Sequence, residues 1–371
     1  MSQELYINVM PAEVRAALLD EGTLVELFLE RRSRASLVGN VYLGRVQRVM
    51  KGMEACFVDI GLARAGFLGL DDSRRSRVSS EPVHEGEAVV VQIVKDAMGG
   101  KGVQLSRRLT LPGRYLVFAP LQDRVMVSRQ IEDEAERERL MTLMADIAEP
   151  GEGFILRTAA VGATADELRA DTEHLREVWA AIEDTRATAK VPCCLHADID
   201  PVLRILRDHA LDDISAIHVD DGDAWSSARA FCERTMPGMA ERVHLHTGPH
   251  PLFEQQAIEE EVERACRHRI DLPSGGGIVI ESAEALTAID VNSGRFEGGA
   301  DLEQTAFRTN REAAQEAARQ IRLRNIAGLI VIDFIHMEED AHWDRVVDAL
   351  AEVIAKDRNP TRILGRTEAG L

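Results

Sequence analysis

The sequence predicts a multidomain α/β protein, with a small β-barrel set into a mixed frame of helices and strands. Three observations carry that expectation. The chain has 371 residues, and at about 150 residues per domain that length holds two or three. Residues 37–109 contain five short runs rich in Val, Ile, Leu and Phe, divided by Gly-bearing turns. Residues 273–371 read as a hairpin, a long helix, an apolar strand and a last helix. Apolar residues make up 45% of the chain, enough for several cores.

The elements follow in order. LYINVM and LVELFLE carry strand-like residues. PAEVRAALLDEG between them predicts a short helix, with Pro at its start and Gly at its end. The five runs are LVGNVYLGRVQRVM, EACFVDIG, AGFLGL, EAVVVQIVKD and GVQLSRRL, punctuated by Lys51-Gly52, Gly61 and Gly99-Gly100. Such runs suit a small barrel of the OB type, with a generic β-sandwich as the other arrangement. YLVFAP and RVMVS read as strands, IEDEAERERLMTLMADIA as an amphipathic helix, and GFILRTAAVGAT as a strand entering a loop. Residues 165–188 predict a long helix with solvated charges, and residues 201–270 alternate helix and strand, ending in one helix over LFEQQAIEEEVERACRHRI. PSGGGIVIE and ALTAIDVN form a hairpin. DLEQTAFRTNREAAQEAARQIRLRN is a helix, and GLIVIDFI reads as a strand buried on both faces. Strand, helix and parallel strand make a right-handed βαβ unit.

Lys plus Arg is 44 and Asp plus Glu is 63, a net charge of −19. A uniformly acidic protein repels a polyanion, but the charge is not uniform. Residues 31–114 hold 15 basic and 8 acidic residues, +7 locally, while the remainder holds 29 and 55. A basic module on an acidic body excludes a uniformly basic binder and leaves nucleic acid open. No run of about 18 apolar residues exists to span a membrane. The N-terminal segment lacks the pattern of a signal peptide. Five cysteines without a CxxC pair fit reduced thiols in the cytoplasm.

Two carboxylates stand out. Asp290 ends LTAID and Asp333 lies inside the apolar run LIVIDFI. An unpaired carboxylate in a buried strand costs several kcal/mol. The βαβ connection can bring the two strands side by side, and Asn292 shares a face with Asp290 two residues away. Two carboxylates and an amide suit Mg²⁺, which takes hard oxygens and keeps several waters. The other reading is a turn-capping Asp and a structural buried Asp. His244, His246 and His250 in HLHTGPH look like zinc ligands, but no Cys or acid completes a set, so surface or interface histidines are the expectation. Cys193, Cys194 and His196 read as packing residues.

The segments PSGGGIVIESAEALTAIDVNSGRF, DLEQTAFRTNREAAQEAARQIRLRNIAGLIVIDFIHM and GNVYLGRVQRVMKGMEACFVDIGLARAGFLGL together resemble the ribonuclease E/G family in order and spacing. The resemblance implies an RNase H-like domain (1–36 and 201–271) with an inserted S1 RNA-binding domain (37–109). A 5′-sensor region (110–200) and a DNase I-like catalytic domain (272–371) complete it. It implies a Mg²⁺-dependent endoribonuclease that cuts AU-rich single-stranded RNA, prefers a 5′-monophosphate, and leaves 5′-phosphate and 3′-hydroxyl ends. By that resemblance Asp290 and Asp333 bind the metal and Asn292 supports them. Phe57, Phe67 and Lys101 contact RNA, and Arg157, Thr158, Gly113 and Val117 form the sensor, with Arg129 a further RNA-facing residue. On residue pattern alone, Phe57 and Phe67 read first as barrel core and Arg157 as a surface arginine. The family's CPxCxG-type zinc link does not follow RTEAGL, so no zinc and no zinc-linked oligomer is expected. A monomer or a homodimer through the catalytic domain is expected instead. A non-catalytic S1-domain RNA-binding protein and a Mg²⁺-dependent hydrolase of another phosphodiester are the competing readings.

Overall fold

The computed structural model describes residues 3–70, 83–210, 214–294, 302–357 and 359–367. Arg74, Arg75 and Arg77 of the basic window, Arg295 and Phe296 of the first matched segment, and the last four residues lie outside the described residues.

The chain opens on three antiparallel strands, β1 (Gln3–Val9), β2 (Glu13–Asp20) and β3 (Thr23–Arg31). The expected helix over PAEVRAALLDEG is therefore a strand. Glu21 and Gly22 both take positive φ, 48° and 79°, the geometry of a two-residue hairpin turn whose twist matches the flanking strands. Val14, Ala16 and Leu18 enter one core while Ala17 and Leu19 enter another. A strand buried on both faces shows no alternation, which is why AALL reads as helical.

The barrel follows as expected. Strands β4 (Val41–Met50), β5 (Ala55–Asp59), β6 (Gly66–Gly69), β7 (Ala88–Lys95) and β8 (Gln104–Ser106) close in the order β4–β5–β6–β8–β7–β4. Full closure removes the exposed edges of a sandwich. Its interior holds Val46, Cys56, Val58, Leu68, Val91 and Leu105.

Next come β9 (Leu111–Pro112), β10 (Leu116–Ala119), β11 (Val125–Val127), helix α1 (Glu134–Ile147), β12 (Gly153–Leu156) and helix α2 (Ala165–Thr188). A capping box formed by Thr164 and Glu167 starts α2. Its charges are not all solvated. Asp171 lies on the buried stripe with Leu168, Thr172 and Leu175. Strand β13 (Cys193–His196) pairs with β4, so Cys193, Cys194 and His196 serve the barrel's edge.

The chain then returns to the first sheet through α3 (Pro201–His209), β14 (Ile214–Val219), α4 (Gly222–Thr235), α5 (Pro237–Ala240) and β15 (Val243–Leu245). That sheet runs β15-β14-β1-β2-β3, with β14 parallel to β1 and β15. The single helix expected over residues 252–270 is broken. Ala257 turns left-handed at φ 54° between α6 (Leu252–Gln255) and α7 (Ile258–Ala265), and β16 (Arg269–Asp271) takes the remainder.

The last unit is a four-stranded sheet, β16-β17-β18-β19, from β17 (Gly277–Ser282), β18 (Leu286–Asn292) and β19 (Leu329–Asp333). One face packs on helix α8 (Leu302–Leu323) through Ala313, Ala317 and Ile321. The opposite side of α8 packs on α9 (Asp340–Ile354). Arg322 of α8 donates to the buried Glu26 of β3, and Arg319 to the Leu24 carbonyl at 2.9 Å, which ties this unit to the first sheet. Strand β19 is not buried on both faces. It is the edge strand, Leu329 is 51% exposed and Asp333 is exposed, because helices cover only one side. None of the described helices is long and apolar enough to cross a membrane.

Candidate active site

The open face of the last sheet carries the two carboxylates. Along β18, Thr287, Ile289 and Val291 are buried while Ala288, Asp290 and Asn292 are exposed. This is the two-residue alternation of a half-buried strand. Parallel pairing sets Asp290 directly opposite Asp333. Asn292 Nδ2 donates to Asp290 Oδ2 at 2.5 Å, which fixes that carboxylate's orientation. The three residues are thus brought together on one face. The burial cost expected for Asp333 does not arise, since both carboxylates meet solvent.

Two devices hold the strand ends. Gly276 packs against the end of β18, and a Cβ there would stand 2.6 Å from the Asn292 carbonyl oxygen. Beyond Asp333, the fully buried Asn310 of α8 donates from Nδ2 to the Ile335 carbonyl at 2.7 Å. Its Oδ1 accepts from the Ile335 N–H at 2.9 Å. A two-way amide bond of this kind satisfies both backbone groups of Ile335 just beyond the end of the Asp333 strand. The donor set fits a hard divalent cation. It offers two facing carboxylates on an open surface with room for water, and an amide restraining one of them.

The histidines of HLHTGPH do not converge on a metal. His244 tilts against His218 with ring centroids 5.7 Å apart, and His246 bonds the His250 carbonyl. Among the described residues, the side chains that do converge are Glu303, Glu339 and His342. There Glu303 accepts from the Glu338 and Glu339 N–H groups and bonds His342 Nδ1 at 2.8 Å, so its carboxylate secures the approach to α9.

Phe57 and Phe67 face outward from the barrel, between buried neighbours Cys56, Val58 and Leu68. They stand opposite one another with ring centroids 6.1 Å apart at 72°. Register extends the row to Arg48 on one side and Gln104 on the other. Partly exposed aromatic faces beside a cation have the chemistry to stack on bases. They are not the interior packing residues that pattern alone favours. Lys101 is exposed at a turn closed by its own N–H to the Met98 carbonyl. Arg129 is exposed and lines a groove of about 430 Å³ with Arg124 and Arg137.

Arg157 leaves the end of β12, where its N–H donates to the Tyr115 carbonyl at 2.8 Å. Nη1 donates to the Gly113 carbonyl at 2.7 Å, and Nη2 pairs with Asp208 at 2.8 Å. Burial pushes the Asp208 carboxyl up, but the Arg207 and Arg157 guanidinium groups outweigh it and hold the group below the usual carboxylate range. Exposed Thr158 follows directly, and Val117 stands on neighbouring β10. Gly113 has no room for a side chain, because a Cβ would lie 2.6 Å from the Asp171 carboxylate. Asp171 accepts from the backbone N–H groups of Arg114, Tyr115 and Leu116 at 2.8–3.1 Å. The sequence reading missed Asp208 and Asp171. Asp171 had a signal, its place on the Leu168–Leu175 stripe of α2; the Arg157–Asp208 pair had none, since the two are 51 positions apart.

The sequence model of the Ribonuclease E/G family matches residues 110–371. Ribonuclease G of Escherichia coli (strain K12) is 40% identical over 385 residues, covering 100% of this chain and 79% of that protein. Ribonuclease G of Haemophilus influenzae is 38% identical over 382 residues, covering 99% and 78%. Ribonuclease E of Escherichia coli (strain K12) is 38% identical over 385 residues, covering all of this chain and 36% of that protein. With the closed barrel and the last α/β unit already in place, these matches show that the chain belongs to the ribonuclease E/G family.

Proposed function

We propose that this family member is a Mg²⁺-dependent, cytoplasmic endoribonuclease that cuts AU-rich single-stranded RNA internally, favours a 5′-monophosphate, and leaves 5′-phosphate and 3′-hydroxyl ends. The observation that carries the proposal is the register of Asp290 and Asp333 on an open sheet face with Asn292 locked onto Asp290. A bound Mg²⁺ supplies an activated water and stabilises charge on the scissile phosphate. Asp290 and Asp333 are the residues that hold it, and Asn292 keeps the Asp290 carboxylate turned toward the site. The barrel supplies affinity without sequence demand, through Phe57, Phe67 and Lys101. The first sheet's order, three antiparallel strands flanked by two parallel ones, is consistent with an RNase H-like domain. The helix-backed last sheet is consistent with the DNase I-like reading of residues 272–371.

Arg157, Thr158, Gly113 and Val117 form the sensor in this proposal. Arg157 reaches it already paired with Asp208, so a terminal phosphate engages a guanidinium held in place and partly neutralised. Charge-assisted bonds from Arg and the Thr158 hydroxyl favour a phosphate over a hydroxyl end. The test uses matched single-stranded RNAs with 5′-monophosphate or 5′-hydroxyl. The intact protein cuts the monophosphorylated RNA faster, and Arg157→Ala removes the difference while sparing the slower reaction. A preference that survives Arg157→Ala rejects the sensor assignment. Removing one stacking face weakens RNA binding by about 1–3 kcal/mol. Phe57→Ala, measured by fluorescence anisotropy on a labelled oligonucleotide, is therefore expected to lower affinity by about 5- to 150-fold. Unchanged affinity would show that Phe57 does not stack on RNA.

A further inference from the structure

The row that holds the two carboxylates continues across the whole last sheet. Arg269 of β16 stands opposite Val279, Val279 opposite Asp290, and Asp290 opposite Asp333. Directly opposed residues share a face, so Arg269 is on the same open face as the metal-type pair. Two strand spacings of about 4.8 Å place it roughly 10 Å from Asp290 across the sheet. The next row is Asp271, Gly277 and Asn292. Gly277 contributes no side chain, and the Arg269 guanidinium occupies that gap. A Cβ on Gly277 would lie 3.2 Å from Arg269 Nη2 and 3.4 Å from Cζ. The side chain is thereby laid over the sheet on the catalytic side. Its Nε donates to Asp271 Oδ1 at 3.3 Å. Among the described residues its two terminal amino groups donate to nothing, and the side chain is 50% exposed.

The charge of this face makes the placement consequential. Asp271, Glu281, Asp290 and Asp333 are all exposed on it, and Arg269 is the only basic residue on the four strands. Along the strands a polyanion crossing this face meets positive charge only at a bound cation and at Arg269, while Arg264 and Arg267 line the groove beside Arg269. We infer that Arg269 grips a phosphate of the RNA next to the one being cut, its fork over Gly277 setting the strand's path toward the Asp290–Asp333 pair. Arginine suits the task because its planar, paired N–H groups match the two non-bridging oxygens of a phosphodiester. Asp271 holds Nε and leaves the other two nitrogens for the phosphate. The inference rests on the proposed role of the carboxylate pair.

The contact forms with the bound substrate and persists in the transition state, so it lowers KM without raising kcat. Arg269→Ala is expected to raise KM for a single-stranded RNA about tenfold and leave kcat within about twofold. In an Asp290→Asn background, which keeps the RNA whole, the slope of log affinity against log salt becomes shallower by about 0.7, the value of one lost contact to single-stranded nucleic acid. Arg269→Lys keeps the salt slope and recovers part of KM. A merely structural arginine moves neither slope nor KM. If Asp290→Asn abolishes cutting and Arg269→Ala changes neither KM nor slope, the inference fails and the carboxylate reading stands. If Asp290→Asn still cuts, the carboxylate reading fails, and with it the inference that Arg269 positions RNA for that pair.

Discussion

Asp290→Asn and Asp333→Asn are each expected to slow RNA cleavage by on the order of 10³-fold or more, while affinity for uncut RNA stays within about twofold. A metal that activates water and stabilises the reacting phosphate is worth several kcal/mol of barrier, and each 1.36 kcal/mol is tenfold. The substitution keeps shape and removes one charge from a facing pair. Affinity is expected to hold because Phe57, Phe67 and Lys101 lie on the barrel, a separate unit with its own core. Neither Asp is buried, so the variants are expected to fold, which unchanged circular dichroism and melting would check. Loss of cutting with retained binding separates a nuclease from an RNA-binding protein without catalysis. Variants that cut normally would remove the pair from the mechanism.

The second large effect concerns stability. Asp171→Ala leaves three backbone N–H groups, of Arg114, Tyr115 and Leu116, without their acceptor in a buried site. Each unpaired buried donor costs about 1–3 kcal/mol. Burial pushes the Asp171 carboxyl up, and the three N–H groups pull it back, so part of the loss is offset by relief of burying the carboxyl. A net loss of about 3 kcal/mol is expected, read as earlier unfolding and faster amide exchange at residues 113–116. Asp171→Asn retains one acceptor oxygen and is expected to recover only part of it. Because Gly113 belongs to the proposed sensor, Asp171→Ala should also blunt the 5′-monophosphate preference. Exchange at 113–116 that matches the parent protein would show that Asp171 does not hold this loop.

Legibility in the sequence followed the range of the interactions. The barrel was readable because its five strands are consecutive and three of the four connections between them are marked locally, at Lys51-Gly52, Gly61 and Gly99-Gly100. Asp290 and Asn292 were readable from two-residue spacing, and Asp333 from a charge inside an apolar run. Strand β2 was misread because both of its faces are buried, so its apolar residues do not alternate. Strand β19 was misread the opposite way: its composition is that of a central strand, and only the order of the sheet makes it an edge. The pairing of Arg157 with Asp208, and the row from Arg269 to Asp333, depend on register between distant segments, which spacing along the chain does not encode.

Whether the Asp290–Asp333 pair supports metal-dependent hydrolysis of RNA is read most directly by end-group mapping of RNA fragments produced by the intact protein, with Mg²⁺ and with EDTA. Internal cuts are expected only with Mg²⁺, each with a 5′-phosphate and a 3′-hydroxyl. Cuts that persist in EDTA and end in 2′,3′-cyclic phosphates and 5′-hydroxyls would contradict that role, since they mark attack by the RNA's own 2′-hydroxyl and need no metal at the two aspartates.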